Sequence, residues 1–219
     1  GNFKALTRAV TVDSAMLAYL NGQLNTKTAP DENYSRELQE LFTLGKENNP
    51  NYTEDDVKTA AKVLTGWRND AVNNTVLFDT SRHDITNKTF SSFYGGAIIT
   101  GRTGVTAGDL ELDDLMNMIF GKSEEVSRYI VTRLYRWFVY YDIDATTQAN
   151  VINPLAAQLV SANWEIKPVL ATLFKSEHFF DMLNRGCYIK TPADLVIGSM
   201  RELNVAFRPE SDWNTNYGL

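Results

Sequence analysis

Apolar residues recur at helical spacing along most of the chain, and this pattern predicts a mainly α-helical protein. The clearest case is the stretch 123–141, in which Val126, Ile130, Leu134 and Trp137 follow one another at intervals of three or four residues. One face of a helix with that spacing is apolar and packs against a core. We therefore expect several amphipathic helices to build the fold.

Capping residues mark several of the predicted helix ends. Gly45 is a typical C-terminal stop, and Thr53 can accept hydrogen bonds from the first turn of a helix. Thr191 followed by Pro192 indicates another helix start. Periodicity and caps together predict helices over residues 13–20, 32–44, 53–66, 110–120, 123–141, 146–162, 166–175 and 192–204.

Residues 68–108 interrupt this helical pattern. Gly, Asn, Thr and Ser dominate the segment, with two short β-prone pieces at 75–79 and 97–100. Irregular segments of this length within a domain are often functional or cover the core. We therefore predict a single domain over 1–219, an orthogonal multi-helix bundle with a long irregular excursion that can hold one small β-hairpin.

Composition excludes several classes of protein. The net charge is −6 and no Lys/Arg cluster stands out, so nucleic acid is not an expected partner. Cys187 is the only cysteine and there are two histidines, which excludes an intrachain disulfide, a Cys-based zinc site and a three-histidine metal site. No apolar run approaches the roughly 18 residues of a membrane helix. The chain start lacks a secretion-signal pattern, and composition leaves the compartment open.

Several separated motifs follow one another in the order found in a known bacterial family. The chain resembles Domain of Unknown Function 1800 over about residues 10–205, in the motifs DENYSRELQELFTLG (31–45), YTEDDV (52–57), LTGW (64–67), His83-Asp84 with Lys88, RLYRWFV (133–139) and KTPADLVIG (190–198). The resemblance implies a helical bacterial protein, frequently exported or periplasmic, with no established activity. It supplies no catalytic residues. Family members are usually longer at both ends, so a partial-length member is expected.

Two charged residues fall among the apolar positions of predicted helices. On a helical wheel Glu37 lies between Leu41 and Leu44, and Arg133 lies within the apolar arc of residues 123–141. A buried charge without a partner is prohibitively costly. We therefore predict a buried, bidentate Glu37–Arg133 ion pair.

Three interpretations of this polar centre stay open. The pair can be a structural brace between two helices. Alternatively, acidic and histidine side chains can hold a divalent metal or act as general base in a metal-dependent hydrolase. A pocket for an anion or a peptide around Arg133 is the third. The candidate residues are Asn33, Glu37, Glu40, His83, Asp84 and Arg133, of which Glu37, Glu40, His83 and Asp84 are the candidate metal ligands.

Structural interpretations compete at the same positions. His83 can pin a loop or lie at the surface, and Asp84 can shape a turn by bonding nearby backbone. A further group of acids is predicted to start a helix, where the helix dipole favours them: Asp109, Glu111, Asp113 and Asp114. Because no catalytic motif is present, the sequence favours a non-catalytic helical scaffold or binding module, with a protein or a small anionic ligand as candidate partner.

Overall fold

The computed structural model describes residues 1–46, 52–70, 75–187 and 189–206. The chain divides into a larger compact unit, 1–179, and a smaller unit that begins at Phe180. The predicted single domain over 1–219 therefore stays a prediction.

The larger unit is built from helices, which confirms the predicted mainly α-helical class. Its core lies around the two longest helices, which cover residues 107–120 and 123–138. In the first of these, Leu112, Leu115 and Ile119 are completely buried. The helices are α1 (Phe3–Thr11), α2 (Ser14–Tyr19), α3 (Asn33–Glu37), α4 (Glu54–Val63), α5 (Ala107–Phe120), α6 (Ser123–Phe138), α7 (Ala145–Thr147), α8 (Asn153–Ser161) and α9 (Ile166–Lys175).

The N-terminus of α4 confirms the cap predicted at Thr53. The Thr53 hydroxyl accepts a hydrogen bond from the Asp56 backbone N–H, and the Asp56 carboxylate accepts one from the Thr53 N–H at 2.8 Å. This reciprocal capping box satisfies two backbone donors at the start of the helix. The same Asp56 carboxylate accepts two hydrogen bonds from Ser91, each at 2.7 Å, and so ties the excursion to α4.

The predicted helix 32–44 contains a π-helical turn, Leu38–Thr43, that directly follows α3. Its wider spacing is visible where the Leu44 N–H donates to the Gln39 carbonyl, five residues earlier, at 2.9 Å. A π turn accommodates more residues per turn than an α-helix, so later side chains rotate away from their expected face. Leu41, predicted to be core, is consequently 55% exposed.

The described residues of the excursion form two hairpins and not the single one that the sequence suggests. Strand β1 (Trp67–Asp70) pairs antiparallel with β2 (Thr75–Phe78), and β3 (Lys88–Thr89) pairs antiparallel with β4 (Ile98–Ile99). The two predicted β-prone pieces thus become β2 and β4, each with its own partner. The excursion packs closely on α5, where a Cβ atom at Gly108 would overlap the Phe78 ring.

The smaller unit contains the 3₁₀ turn Met182–Asn184 and helix α10 (Pro192–Glu202). Thr191 and Asp194 form a capping box at the start of α10, with Pro192 in the first turn, as predicted. None of the described residues of this unit is buried. Across the described parts of both units, no helix is long and apolar enough to cross a membrane.

Candidate functional site

The predicted ion pair between Glu37 and Arg133 is wrong. Arg133 is exposed, Glu37 is half-buried, and no ion pair joins them within the described chain. A helical wheel predicts Arg133 in the core because Trp137, one turn later, is an expected core residue. Trp137 is 62% exposed, and the second half of α6 buries a different side of the helix, which carries Val131, Thr132 and Tyr135. Asn33 is also exposed, at the first residue of α3.

Glu40 belongs to a surface ion network around Arg36. Arg36 lies 3.7 Å from Glu40, 2.7 Å from Glu54 and 3.0 Å from Glu32. Lys46 approaches Glu40 to 3.1 Å. The hydrogen bond to Glu54 raises the pKa of Arg36, and the nearby carboxylates add to this effect. The Glu40 side chain is 15% exposed, and its charged partners are Arg36 and Lys46 and not His83 or Asp84.

His83 lies in the interior of the larger unit and is only 1% exposed. Its Nε2 is 3.1 Å from a carboxylate oxygen of Glu111 on α5. Its Nδ1 is 2.9 Å from the carbonyl oxygen of Thr65 and 3.2 Å from the Thr65 hydroxyl. The imidazole therefore connects the end of α4, the excursion and α5, which is the loop-pinning role that the sequence offered as its alternative.

Glu111 is the acceptor at the centre of this network and is completely buried. Its Oε2 accepts a hydrogen bond from Lys88 Nζ at 2.6 Å, and its Oε1 accepts one from the Arg102 backbone N–H at 2.6 Å. Lys88, 1% exposed, also donates to the carbonyl oxygen of Asp84. One buried carboxylate thus holds side chains or backbone from three points of the excursion. We call His83, Lys88 and Glu111 the buried triad.

The electrostatics of Glu111 follow from two opposing effects. Burial raises the pKa of the carboxyl group, because it penalises the charged form. Hydrogen bonds from His83, Lys88 and the Arg102 N–H stabilise the carboxylate and outweigh that penalty, so the pKa of Glu111 is below its usual value. The buried glutamate is therefore ionised at neutral pH, and the Lys88 ammonium compensates its charge.

Asp84 shapes the turn after His83. Its Oδ1 accepts hydrogen bonds from the Thr86 N–H at 2.8 Å and from the Thr86 hydroxyl at 2.6 Å. Burial opposes ionisation, but these bonds lower the pKa of Asp84 below its ordinary value. Its own N–H donates to the Thr65 hydroxyl at 2.8 Å. The side chain that was a candidate metal ligand is thus engaged in local backbone structure.

The predicted metal ligands do not come together. Glu37 and Glu40 lie on α3 and its π turn, whereas His83 and Asp84 lie in the excursion with their own partners. Within the described ranges, no group of three or more His, Cys, Asp or Glu side chains is placed to hold a metal ion.

Sequence reasoning missed Glu111 as a site residue and interpreted it as an acid at a helix start. The spacing in the sequence could have identified it, because Glu111 lies four residues after Ala107 and four before Leu115, on one side of the helix. In the structure all three residues are buried. On a helical wheel of α5, Glu111 falls among apolar positions, as Glu37 does on the wheel of residues 32–44. The neighbouring acids behave differently: Asp109 and Asp113 pair with Arg8 of α1.

The larger unit has surface grooves between α1 and α9, between α6 and α8, and between α1 and α5, of about 580, 530 and 400 Å³. No member of the buried triad lines any of these three grooves. The geometry thus gives the triad a closed, internally satisfied environment.

Fold and site together define a mainly helical protein in which His83, Lys88 and Glu111 pair with one another inside the core. The sequence profile of a family described as protein of unknown function (DUF1800) matches residues 1–218. The chain belongs to this family, which confirms the resemblance in its motifs. No curated protein and no solved structure matches the chain.

Proposed function

We propose that this chain is a non-catalytic helical scaffold or binding module. The observation that supports the proposal is the closure of the buried triad, whose residue types are the ones that catalysis most often uses. The family resemblance adds the further proposal that the protein is bacterial and exported.

A general acid or base must come within hydrogen-bond reach of a substrate. His83 and Lys88 are 1% exposed and Glu111 is 0% exposed, and each makes at least two polar contacts to protein groups. These contacts join the excursion to α5. Their chemistry is therefore used to fix the position of a long irregular segment on the helical core.

A metal-dependent hydrolase using Glu37, Glu40, His83 and Asp84 is the competing proposal. Because these side chains lie on separate elements, it requires them to rearrange around an ion. Such an ion would bind the folded protein and raise its melting temperature. At a concentration of 100 times its Kd, a ligand of this kind stabilises the folded state by about 2.7 kcal/mol.

Thermal unfolding with and without Mg²⁺, Mn²⁺ or Zn²⁺ distinguishes the two proposals. A scaffold or binding module should show the same melting temperature with and without each ion. A rise of several degrees that is lost in Glu40→Gln but kept in Glu124→Gln would contradict our proposal. Glu124 is a suitable control because it is a glutamate whose side chain is 81% exposed and pairs only with Arg128 in the described structure.

A further inference from the structure

Asn21 and Gly22 form the tight turn between α2 and the 3₁₀ turn Gly22–Leu24. Asn21 has a φ of 60° and a ψ of 12°, in the left-handed region that asparagine adopts more readily than most residues with a Cβ atom. Gly22 packs so closely on the buried Leu17 that an added Cβ would lie 2.8 Å from its Cδ2 atom. The fold therefore favours asparagine followed by glycine at these two positions, and this dipeptide occurs once in the sequence.

Asparagine followed by glycine is also the pair of residue types most prone to cyclise. The backbone nitrogen of Gly22 can attack Cγ of Asn21, because glycine has no Cβ to hinder the approach. A five-membered imide forms through the new N–Cγ bond. The Cγ–Nδ2 bond breaks, and the side-chain nitrogen leaves as ammonia with the proton from the Gly22 nitrogen. Water then opens the imide at either carbonyl group, which gives aspartate or isoaspartate.

Hydrogen bonds to described residues hold neither reacting group. The Asn21 side chain makes no capping bond, the Gly22 N–H donates to no described acceptor, and both residues are partly exposed to solvent. The Leu24 N–H donates to the Asn21 carbonyl oxygen at 2.8 Å. Ring closure needs rotation about ψ of Asn21, so this bond has to open first. Local opening of one short turn requires much less free energy than global unfolding.

The residues after this turn hold two other parts of the larger unit. The Gln23 carbonyl oxygen accepts a hydrogen bond from the Arg82 guanidinium of the excursion at 2.8 Å. The buried Asn25 accepts one at its carbonyl from the Gly66 N–H at 3.2 Å, and its Nδ2 donates to the Ala61 carbonyl oxygen of α4 at 2.8 Å. The turn therefore sets the position of contacts to the excursion and to the end of α4.

We propose that Asn21 is a site of spontaneous deamidation, and that isoaspartate there loosens the contacts of residues 23–25 with the excursion and α4. Isoaspartate continues the chain through Cβ and Cγ, so it adds one backbone carbon directly before Gly22. The close packing of Gly22 on Leu17 has no room for that carbon without a shift of the following residues. The aspartate product adds a charge but keeps the backbone.

Mass spectrometry of the full chain, incubated at mildly alkaline pH and compared with a fresh sample, tests the modification. Replacement of NH₂ by OH increases the mass of the tryptic peptide 9–27, and its fragments distinguish isoaspartate from aspartate. Asn25 and Asn163 are internal controls. Asn25 precedes the β-branched Thr26, and Asn163 has a positive φ of 49° but precedes tryptophan. We expect Asn21 to react at least about tenfold faster than either control.

Two variants separate the backbone change from the charge. Asn21→Gln should gain no mass at this position, because attack would need a six-membered ring, and its melting temperature should not change during the incubation. Freshly prepared Asn21→Asp has the charge on a normal backbone and should melt within about 1 °C of the fresh wild type. The incubated wild type, which contains isoaspartate, should melt at least about 2 °C lower than the fresh wild type.

The site is overturned if Asn21 gains no mass in the folded chain during a period in which the urea-unfolded chain reacts completely. Equal rates at Asn21, Asn25 and Asn163 would overturn it as well. If the incubated wild type contains isoaspartate but melts at the same temperature as fresh Asn21→Asp, the loosening of the loop is wrong.

Discussion

Glu111→Gln is the most informative single substitution in the buried triad, because it removes one charge and leaves the shape of the side chain. In the native protein the carboxylate accepts hydrogen bonds from His83, Lys88 and the Arg102 N–H. A glutamine amide has one acceptor oxygen, and its NH₂ group must face one of these donors. The Lys88 ammonium then stays buried without its counter-charge.

The expected loss of stability is large. Removing one partner of a buried ion pair costs about 3–5 kcal/mol, since the remaining charge is desolvated and unpaired. For a protein of this size, 1 kcal/mol corresponds to about 2–4 °C in melting temperature, so we expect a decrease of about 6–20 °C. Urea unfolding followed by circular dichroism measures the free energy of unfolding, and calorimetry measures the melting temperature.

Two further variants make the measurement specific to the triad. Glu124→Gln changes an exposed glutamate of a surface pair and should cost less than about 1 kcal/mol. Lys88→Met removes the buried ammonium but keeps most of the side-chain length. If the two charges interact as described, Glu111→Gln/Lys88→Met should cost at least about 1 kcal/mol less than the sum of the single substitutions.

A cost below about 1 kcal/mol for Glu111→Gln, or simple additivity in the double variant, would refute the buried ion pair. Either result would mean that the Glu111 carboxylate is hydrated or unpaired in solution. The description of a closed triad would then be incorrect, and with it the main support for a structural role.

Three other measurements test separate parts of the structure. Because the pKa of Glu111 is lower in the folded protein than its ordinary value of 4.5, its stabilisation is present above that value and is lost as the pH falls through the folded-state pKa. Urea titrations should therefore show the stabilities of wild type and Glu111→Gln converging as the pH falls below 4.5. Gly45→Ala should lose about 1–3 kcal/mol more than Gly95→Ala in thermal unfolding, because both have positive φ but only a Cβ at Gly45 would overlap the Tyr129 ring; equal losses would contradict the packing. Arg133→Gln should change stability by no more than about 0.5 kcal/mol, whereas a loss above about 2 kcal/mol would restore the rejected ion pair.

Elements with strong local signals could be predicted from the sequence. Helix α9 has the predicted bounds, and the caps at Thr53, Thr191 and Gly45 are all present because they depend only on nearby residues. Helix α1 was not predicted. Its apolar residues Phe3, Leu6 and Val10 do recur at helical spacing, although the side chains that it buries are the polar Thr7 and Thr11.

The candidate site could be predicted only in part, because two physical effects are not local. The π turn Leu38–Thr43 shifts the phase of every later position, so the wheel that placed Glu37 beside Leu41 and Leu44 did not hold. The pairing of Glu111 with Lys88 connects residues 23 positions apart in sequence, across an irregular segment that has no periodicity. His83 is a candidate site residue in the sequence, but in the structure its carboxylate partner is Glu111 of α5 and not the predicted acids of α3 and its π turn.

The position of Glu111 after the excursion also has a consequence for how the chain folds during synthesis. His83 and Lys88 leave the ribosome before the carboxylate that receives their hydrogen bonds. Until α5 has emerged, the Lys88 ammonium is best stabilised by water. Burial of this ammonium by the β3–β4 hairpin would then cost free energy, because its carboxylate partner is absent. The excursion and α5 should therefore become protected from hydrogen exchange together, as one cooperative folding unit.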